Sequence, residues 1–198
     1  MHRFLGRGFG SRAALGWGAG LLFCYFLGVF AGKAMFDAAP AGTRQELGQA
    51  ASLFISLPRG ALAVGWRPGL WQAAWVIGLS LVAVGILGLP PLFLLRGMST
   101  GQLLGAMMAC GMRGRVWAVG FLLPIDLLWV VPLAALGVRA AGNQWCMMRT
   151  PGPVWRDPLI RRRIWQDHAK GMGVGLVLLG AGMVAATLWA RAWVAVVS

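Results

Sequence analysis

Few residues in this sequence could do chemistry, and the clearest candidate is a lone acid inside an apolar stretch. Asp126 lies in FLLPIDLLWVVPLAAL, residues 121–136. A carboxyl group in hydrocarbon is costly unless it is paired, protonated or beside water. Asp126 is therefore interpreted either as a proton or cation site, or as a neutral carboxyl group that hydrogen-bonds backbone groups freed by Pro124. Because the pattern offers no basic partner inside the membrane, a relay is not indicated.

The remaining polar groups do not form a catalytic or metal-binding set. His2 and His168 lie in polar end segments, so no metal site is predicted. Outside the membrane, Asp37 and Glu46 are the acids available for acid–base hydrolysis, which needs two positioned groups. No glycine loop ending in Gly-Lys-Ser/Thr occurs, so no nucleotide site is indicated. We predict no catalytic residue, no cofactor and no enzymatic activity.

Composition explains why so few polar groups are available. The 198 residues are 59% hydrophobic and include only five acidic side chains, too few to cover a water-soluble globule. The net charge of +13 comes from basic residues at the ends of apolar segments, which indicates control of topology and not binding of nucleic acid. The sequence therefore predicts an all-α, polytopic integral membrane protein of the cell membrane.

Five membrane-spanning helices in a single membrane domain, residues 1–198, are expected. They are placed at residues 13–32, 70–89, 97–112, 116–138 and 171–190. Basic residues before the first span put the N-terminus in the cytoplasm, and an odd number of spans puts the C-terminus outside. A cleaved signal peptide ending near Ala39-Pro40-Ala41 is the alternative for the first span, although its apolar run is longer than usual for one. A re-entrant loop is the alternative for 97–112, because that segment is short.

The cytoplasmic side is marked by a basic loop, residues 139–170. It holds seven basic residues against Asp157 and Asp167. Its run RRRIWQDHAKG, residues 161–171, is typical of an amphipathic polybasic segment held to anionic membrane lipid, and binding of a cytoplasmic partner is the alternative.

Prolines and glycines surround the third span. Pro90 and Pro91 are expected to end or kink the second helix, because proline removes an amide donor and crowds the preceding turn. Arg96 then follows the break and is expected to reach toward the lipid headgroups. Small residues recur every four positions after it and predict a face where two helices pack closely: Gly97, Gly101, Gly105 and Ala109.

An amphipathic helix is predicted outside the membrane, at residues 43–57. Thr43 and Glu46 have the spacing of a capping box at its start. Leu47 and Phe54 belong to an apolar stripe at helical spacing, and we treat them as candidate partner-docking residues. The same pattern suits a helix that lies on the membrane, one that receives a partner, and one that caps the bundle.

The order of these segments resembles the stage II sporulation protein M family. The resemblance rests on YFLGVFAG at residues 25–32, WVIGLSLVAVGILGLPPLFLLRGMSTGQLLG at 75–105, and FLLPIDLLWVVPLAALGV at 121–138. Together they match the family's glycines, its Gly-Leu-Pro and its proline-bracketed late span across about 115 residues. The chain departs from the family where many relatives have a His-Gly and a Glu, since Ile125-Asp126 and Trp129-Val130 stand there.

The resemblance implies a noncatalytic membrane scaffold of the endospore engulfment machinery. Such a protein would recruit or localise the peptidoglycan-hydrolysing stage II sporulation D and P proteins at the septal membrane. A family member outside sporulation is a second interpretation. The alternative from another class is a small transporter or channel component, for which Asp126 and the proline-broken second helix would line a polar path.

Overall fold

The computed structural model describes residues 11–56, 66–81, 85–149 and 157–197, and in these ranges the chain is helical. A short 3₁₀ turn, Gly85–Gly88, precedes α4, and a π-helical segment, Ala118–Leu122, joins α5 to α6. The α-helices in chain order are α1 (Ser11–Ala38), α2 (Ala41–Ser56), α3 (Trp66–Ser80), α4 (Leu89–Ala109), α5 (Gly111–Trp117), α6 (Leu123–Arg149) and α7 (Pro158–Val197).

Within the described ranges, three helical stretches are long and apolar enough to cross a membrane. They are Arg12–Ala38, Gly111–Met148 and Arg161–Val196. The second stretch runs without interruption through α5, the π-helical segment and α6. These stretches overlap the predicted spans 13–32, 116–138 and 171–190, and each is longer than predicted. Their length and composition indicate a membrane protein.

The two adjacent prolines begin a helix, whereas the sequence pattern placed them at the end of one. α3 stops at Ser80, and α4 starts at Leu89 with Pro90 and Pro91 in its first turn. The amides of a first turn have no intrahelical acceptor, so a proline loses nothing there, and its fixed φ suits the helix. The prediction that they break the second helix is therefore wrong. Arg96 consequently stands inside α4, about 10 Å along its axis from Leu89.

Pro124 also fails to break its helix. It has no amide to donate to the carbonyl four residues earlier, which belongs to Gly120 in the π-helical segment. Trp189 of α7 supplies a replacement, because its indole Nε1 donates to Gly120 O at 3.1 Å. An indole from a neighbouring helix thus satisfies the freed backbone, and the helix continues to Arg149.

Two other predicted segments differ in their bounds. The basic loop expected at 139–170 is helical over most of its length, since α6 reaches Arg149 and α7 begins at Pro158. The turn expected between 112 and 116 lies earlier, at Gly111, whose φ of +79° favours glycine.

α1 and α4 form the closest helix pair and run parallel. A methyl group at Gly97 would overlap the carbonyl of Tyr25, and one at Gly101 would overlap the carbonyl of Val29. From the other side, a methyl group at Gly28 would overlap the carbonyl of Leu94. Backbone touches backbone along this seam, which is the contact that small residues allow between helices in lipid.

α6 runs antiparallel to α1 and α7 and completes the core. Gly18 lies beside Val138, whereas Tyr25 contacts Asp126 further up the same two helices. α7 follows the opposite side of α6, with Gly175 against Leu136. The start of α1 and the end of α6 thus share one end of the bundle, here named the base. The opposite end, which carries α2, is named the top.

α2 rests on the top by one face. Ala51 and Ile55 are buried, and the Cys110 thiol contacts the Gly48 carbonyl at 3.5 Å. The helix begins at Ala41, so Thr43 lies within the first turn and not at the cap that the capping box required. The predicted amphipathic helix at 43–57 corresponds to α2, with its start two residues earlier.

Candidate functional site

The bundle core contains a cluster of four polar side chains, contributed by three helices. Tyr25 belongs to α1, Arg96 and Thr100 to α4, and Asp126 to α6. Asp126 is 2% exposed and Tyr25 is fully buried. The cluster lies about 10 Å from the base end of α4, within the apolar length of the helices.

Asp126 is the centre of this cluster, because its carboxylate accepts from all three neighbours. The Tyr25 hydroxyl donates to Oδ2 at 2.5 Å, and the Thr100 hydroxyl donates to the same oxygen at 2.6 Å. The Arg96 guanidinium donates through Nη2 to Oδ1 and forms an ion pair there. Charge-assisted hydrogen bonds of this kind are stronger than neutral ones, especially where water is excluded.

The local sequence accounts for the convergence. Arg96 and Thr100 are four residues apart on α4, so they share one helical face. Gly97 directly follows Arg96 and Gly101 directly follows Thr100, and these two glycines let α1 approach that face closely. The phenol of Tyr25 therefore reaches the carboxylate. The close glycine contact and the polar cluster are consequences of the same helix register.

The ion pair changes the interpretation of Asp126. No basic partner inside the membrane is predicted for Asp126 from the sequence, and that prediction is wrong, because Arg96 forms an ion pair with it. Asp126 also does not bond the backbone freed by Pro124, because Trp189 donates to that carbonyl and the acid accepts from side chains instead. The missed signal was the Arg96–Thr100 spacing, which places two polar side chains one turn apart on the same face of α4.

The Arg96 side chain is partly exposed at the surface of the bundle. Its side chain is 16% exposed, against 3% for Asp126, and it borders a groove between α3 and α4. Its Nε is buried and has no hydrogen-bond partner. The cluster therefore has a closed carboxylate side and a guanidinium side that reaches the surface. Chemically, it could hold three helices together, or release Arg96 to an anion if Asp126 were protonated.

The other residues singled out from the sequence are distributed over the bundle. Gly97, Gly101 and Gly105 face α1, and a methyl group at Gly105 would lie 2.7 Å from the Phe36 ring. Ala109 is exposed at the end of α4 and does not continue that contact.

The two candidate docking residues lie on α2. Leu47 is 37% exposed, and the side chain of Phe54 is outside the described residues. Leu53, which the sequence analysis did not select, is more exposed, and it lies on the side of α2 away from the buried Ala51 and Ile55.

A second polar cluster lies at the base. Gln144 is fully buried and its Nε2 donates to the Leu79 carbonyl at 2.5 Å. His168, which the sequence placed in a polar end, is buried with its Nε2 3.5 Å from the Ser80 hydroxyl. Among the described residues, no group of three His, Cys, Asp or Glu side chains lies together in a way that could hold a metal ion.

Comparison with protein-family models, curated proteins and solved structures finds no match to this chain. The site is therefore interpreted from its own geometry.

Proposed function

We propose that the chain is a noncatalytic membrane scaffold that displays α2 to a partner protein. The observation that carries this proposal is the seating of α2. Ala51 and Ile55 hold the helix on the top of the bundle, and Leu47 lies on the same side of α2, one turn before Ala51, whereas Leu53 on the opposite side stays 61% exposed. A helix that is attached by one face and exposes apolar side chains on another suits the docking of a second surface.

The core beneath α2 supports the same proposal. The glycine seam joins α1 to α4 at backbone contact, and the Asp126 cluster ties both helices to α6. The Asp126 carboxylate already accepts from three donors, so a bound ion would have to displace them. Such a core favours a fixed platform over a path for ions.

The proposed topology has five spans formed by α1, α3, α4, the α5–α6 stretch and α7. The parallel course of α1 and α4, with α6 antiparallel to both, is compatible with this arrangement. Basic residues near the base, such as Arg12 and Arg161, favour a cytoplasmic base and an extracytoplasmic top. α2 and the C-terminus would then face the outside.

The narrower form of the proposal comes from the sequence resemblance alone. If the chain acts like stage II sporulation protein M, its partners are the stage II sporulation D and P peptidoglycan-hydrolysing proteins. It would then lie in the sporulation septum and the engulfing membrane. An extracytoplasmic α2 is on the correct side for partners that remodel the cell wall.

The proposal is tested by recovering partners with the tagged full chain from its native cells in mild detergent, followed by mass spectrometry. The Leu53→Asp variant should lose the partner, because a charge replaces an exposed apolar contact. Gln49→Ala, on an exposed position of the same helix, is the matched control and should keep it. Equal recovery by wild type and Leu53→Asp, with both proteins inserted in the membrane, would exclude α2 as the docking surface.

A small transporter or channel component is the second candidate, and the Arg96–Asp126 pair favours it. The pair lies within the apolar length of the helices, and its cation, Arg96, borders a groove. A transported anion could replace Asp126 as the partner of Arg96. This function requires flux into liposomes that Asp126→Asn abolishes. Asp37→Asn, at an exposed acid, is the matched control. Liposomes that show no flux above the empty-vesicle rate would exclude it.

A further inference from the structure

Buried polar side chains from two helices meet the end of a third at the base of the bundle. α3 ends there at Ser80, Gln144 comes from α6, and His168 comes from α7. Gln144 is fully buried and His168 is 5% exposed. Gln144 Nε2 donates to the carbonyl of Leu79, which belongs to the last turn of α3 and has no partner within that helix. The glutamine therefore caps α3, but this bond uses only one end of its amide.

The packing of α6 against α7 brings a third polar side chain to the same level. From Gly175 to Gly171, toward the start of α7, the nearest neighbour on α6 changes from Leu136 to Asn143. His168 is three residues before Gly171, about one turn further in the same direction. It therefore lies level with Asn143 and the residues that directly follow it on α6.

The hydrogen bonds of Ser80 determine which nitrogen of the neutral His168 ring carries the hydrogen. The Ser80 hydroxyl donates to the Ile77 carbonyl at 2.6 Å, which uses its single hydrogen. His168 Nε2 lies 3.5 Å from the same hydroxyl oxygen, so Nε2 is the donor in that contact. A neutral imidazole has one N–H group, and Nδ1 is consequently an acceptor.

Three buried side-chain atoms in this region have no hydrogen-bond partner. They are His168 Nδ1, Gln144 Oε1 and Asn143 Nδ2. The first two are acceptors and cannot satisfy each other, whereas the amide nitrogen is a donor. Leaving such atoms unpaired in a protein interior is costly. The set is complementary to a small molecule that donates two hydrogen bonds and accepts one.

The surroundings of these atoms are both closed and large enough for such a molecule. The 3₁₀ turn passes so close that a methyl group at Gly85 would lie 2.8 Å from Gln144 Nε2, and the Trp165 ring packs edge-on against His168. On the α7 side, a methyl group at Gly171 would meet Asn143 Nδ2 at 3.8 Å and nothing closer. The α6–α7 interface therefore has room beside this amide for a group of the size of a water molecule.

We propose that the base binds one ordered water molecule between α6 and α7. The water donates to His168 Nδ1 and Gln144 Oε1 and accepts from Asn143 Nδ2, and three bonds to otherwise unsatisfied groups are typical of buried water. It joins α6 to α7, while Leu79 and Ser80 hold the same glutamine and histidine to α3. α2 lies at the other end of the bundle, so this site does not depend on the scaffold function.

Nuclear magnetic resonance of the full chain in micelles tests the proposal. The sequence has two histidines, so His2→Ala leaves His168 as the source of the imidazole signals. In ¹⁵N-histidine-labelled protein at neutral pH, we expect hydrogen on Nε2, none on Nδ1, and magnetisation transfer from water to the ring hydrogen beside Nδ1. Asn143→Leu, which removes the amide donor at similar side-chain size, should abolish the transfer. Gln166→Leu, at an exposed position of α7, is the matched control and should keep it.

The histidine spectrum of the unsubstituted site decides the question even if Asn143→Leu fails to fold. Hydrogen on Nδ1 would overturn the proposal, because that nitrogen would then bond Gln144 Oε1 without a water between them. Absence of transfer from water to the ring would also overturn it. Unchanged transfer in a folded Asn143→Leu protein would show that the ring exchanges with outside solvent and that the bound water is not there.

Discussion

Removing the Asp126 carboxylate should destabilise the bundle more than removing the whole ion pair. In Asp126→Leu, the Arg96 guanidinium remains largely buried without a counter-charge, and Tyr25 loses its acceptor. Breaking a buried pair by deleting one partner costs about 3–5 kcal/mol. The 16% exposure of Arg96 toward the groove favours the lower half of that range, since the cation can turn outward.

The double variant Arg96→Leu/Asp126→Leu should recover most of this loss. Both charges are gone, and the cost of fitting a leucine in place of the smaller Asp126 is the same in the single and the double variant, so it cancels in the comparison. The Tyr25 hydroxyl is then the main group left without an acceptor, at a cost of about 1–3 kcal/mol. We therefore expect the double variant to be about 2 kcal/mol more stable than Asp126→Leu.

Reversible unfolding in mixed micelles measures these free energies directly. Lys33→Ala serves as the control, because an exposed pair four residues apart on a helix contributes no more than about 0.5 kcal/mol. A double variant no more stable than Asp126→Leu would refute the argument that an unpaired buried arginine dominates the loss. A loss in Asp126→Leu as small as that in Lys33→Ala would refute the burial of the pair itself.

Two further predictions concern helix packing. Gly101→Ala should lower the free energy of unfolding by about 1–3 kcal/mol, because the new methyl group overlaps the Val29 carbonyl. Gly20→Ala is the control and should be neutral or slightly stabilising, because a methyl group at Gly20 has open space around it. The same unfolding assay checks both, and equal effects would contradict the close seam. Trp189→Phe should cost about 1 kcal/mol by leaving the Gly120 carbonyl without its indole donor. No loss in that variant would indicate that the π-helical segment satisfies the carbonyl by itself.

Much of the candidate site was visible in the sequence, but its assembly was not. Asp126 was identified because an acid in an apolar stretch is unusual in itself. Tyr25 and Thr100 carried no such signal, since a hydroxyl is tolerated on many helix faces. Arg96 was misplaced because Pro90-Pro91 fits both the end and the start of a helix, and the local pattern does not distinguish the two.

The sequence by itself determined the helical class, the apolar stretches, the amphipathic α2 and the small-residue face at Gly97, Gly101 and Gly105. These features depend on composition and on a spacing of three or four residues, which one helix expresses alone. Only the tertiary structure decided that Asp126 pairs with Arg96, thirty residues away, and that Trp189 satisfies the backbone ahead of Pro124. Such contacts depend on the relative rotation and depth of different helices. That register follows from backbone contact along the α1–α4 seam, which no single segment encodes.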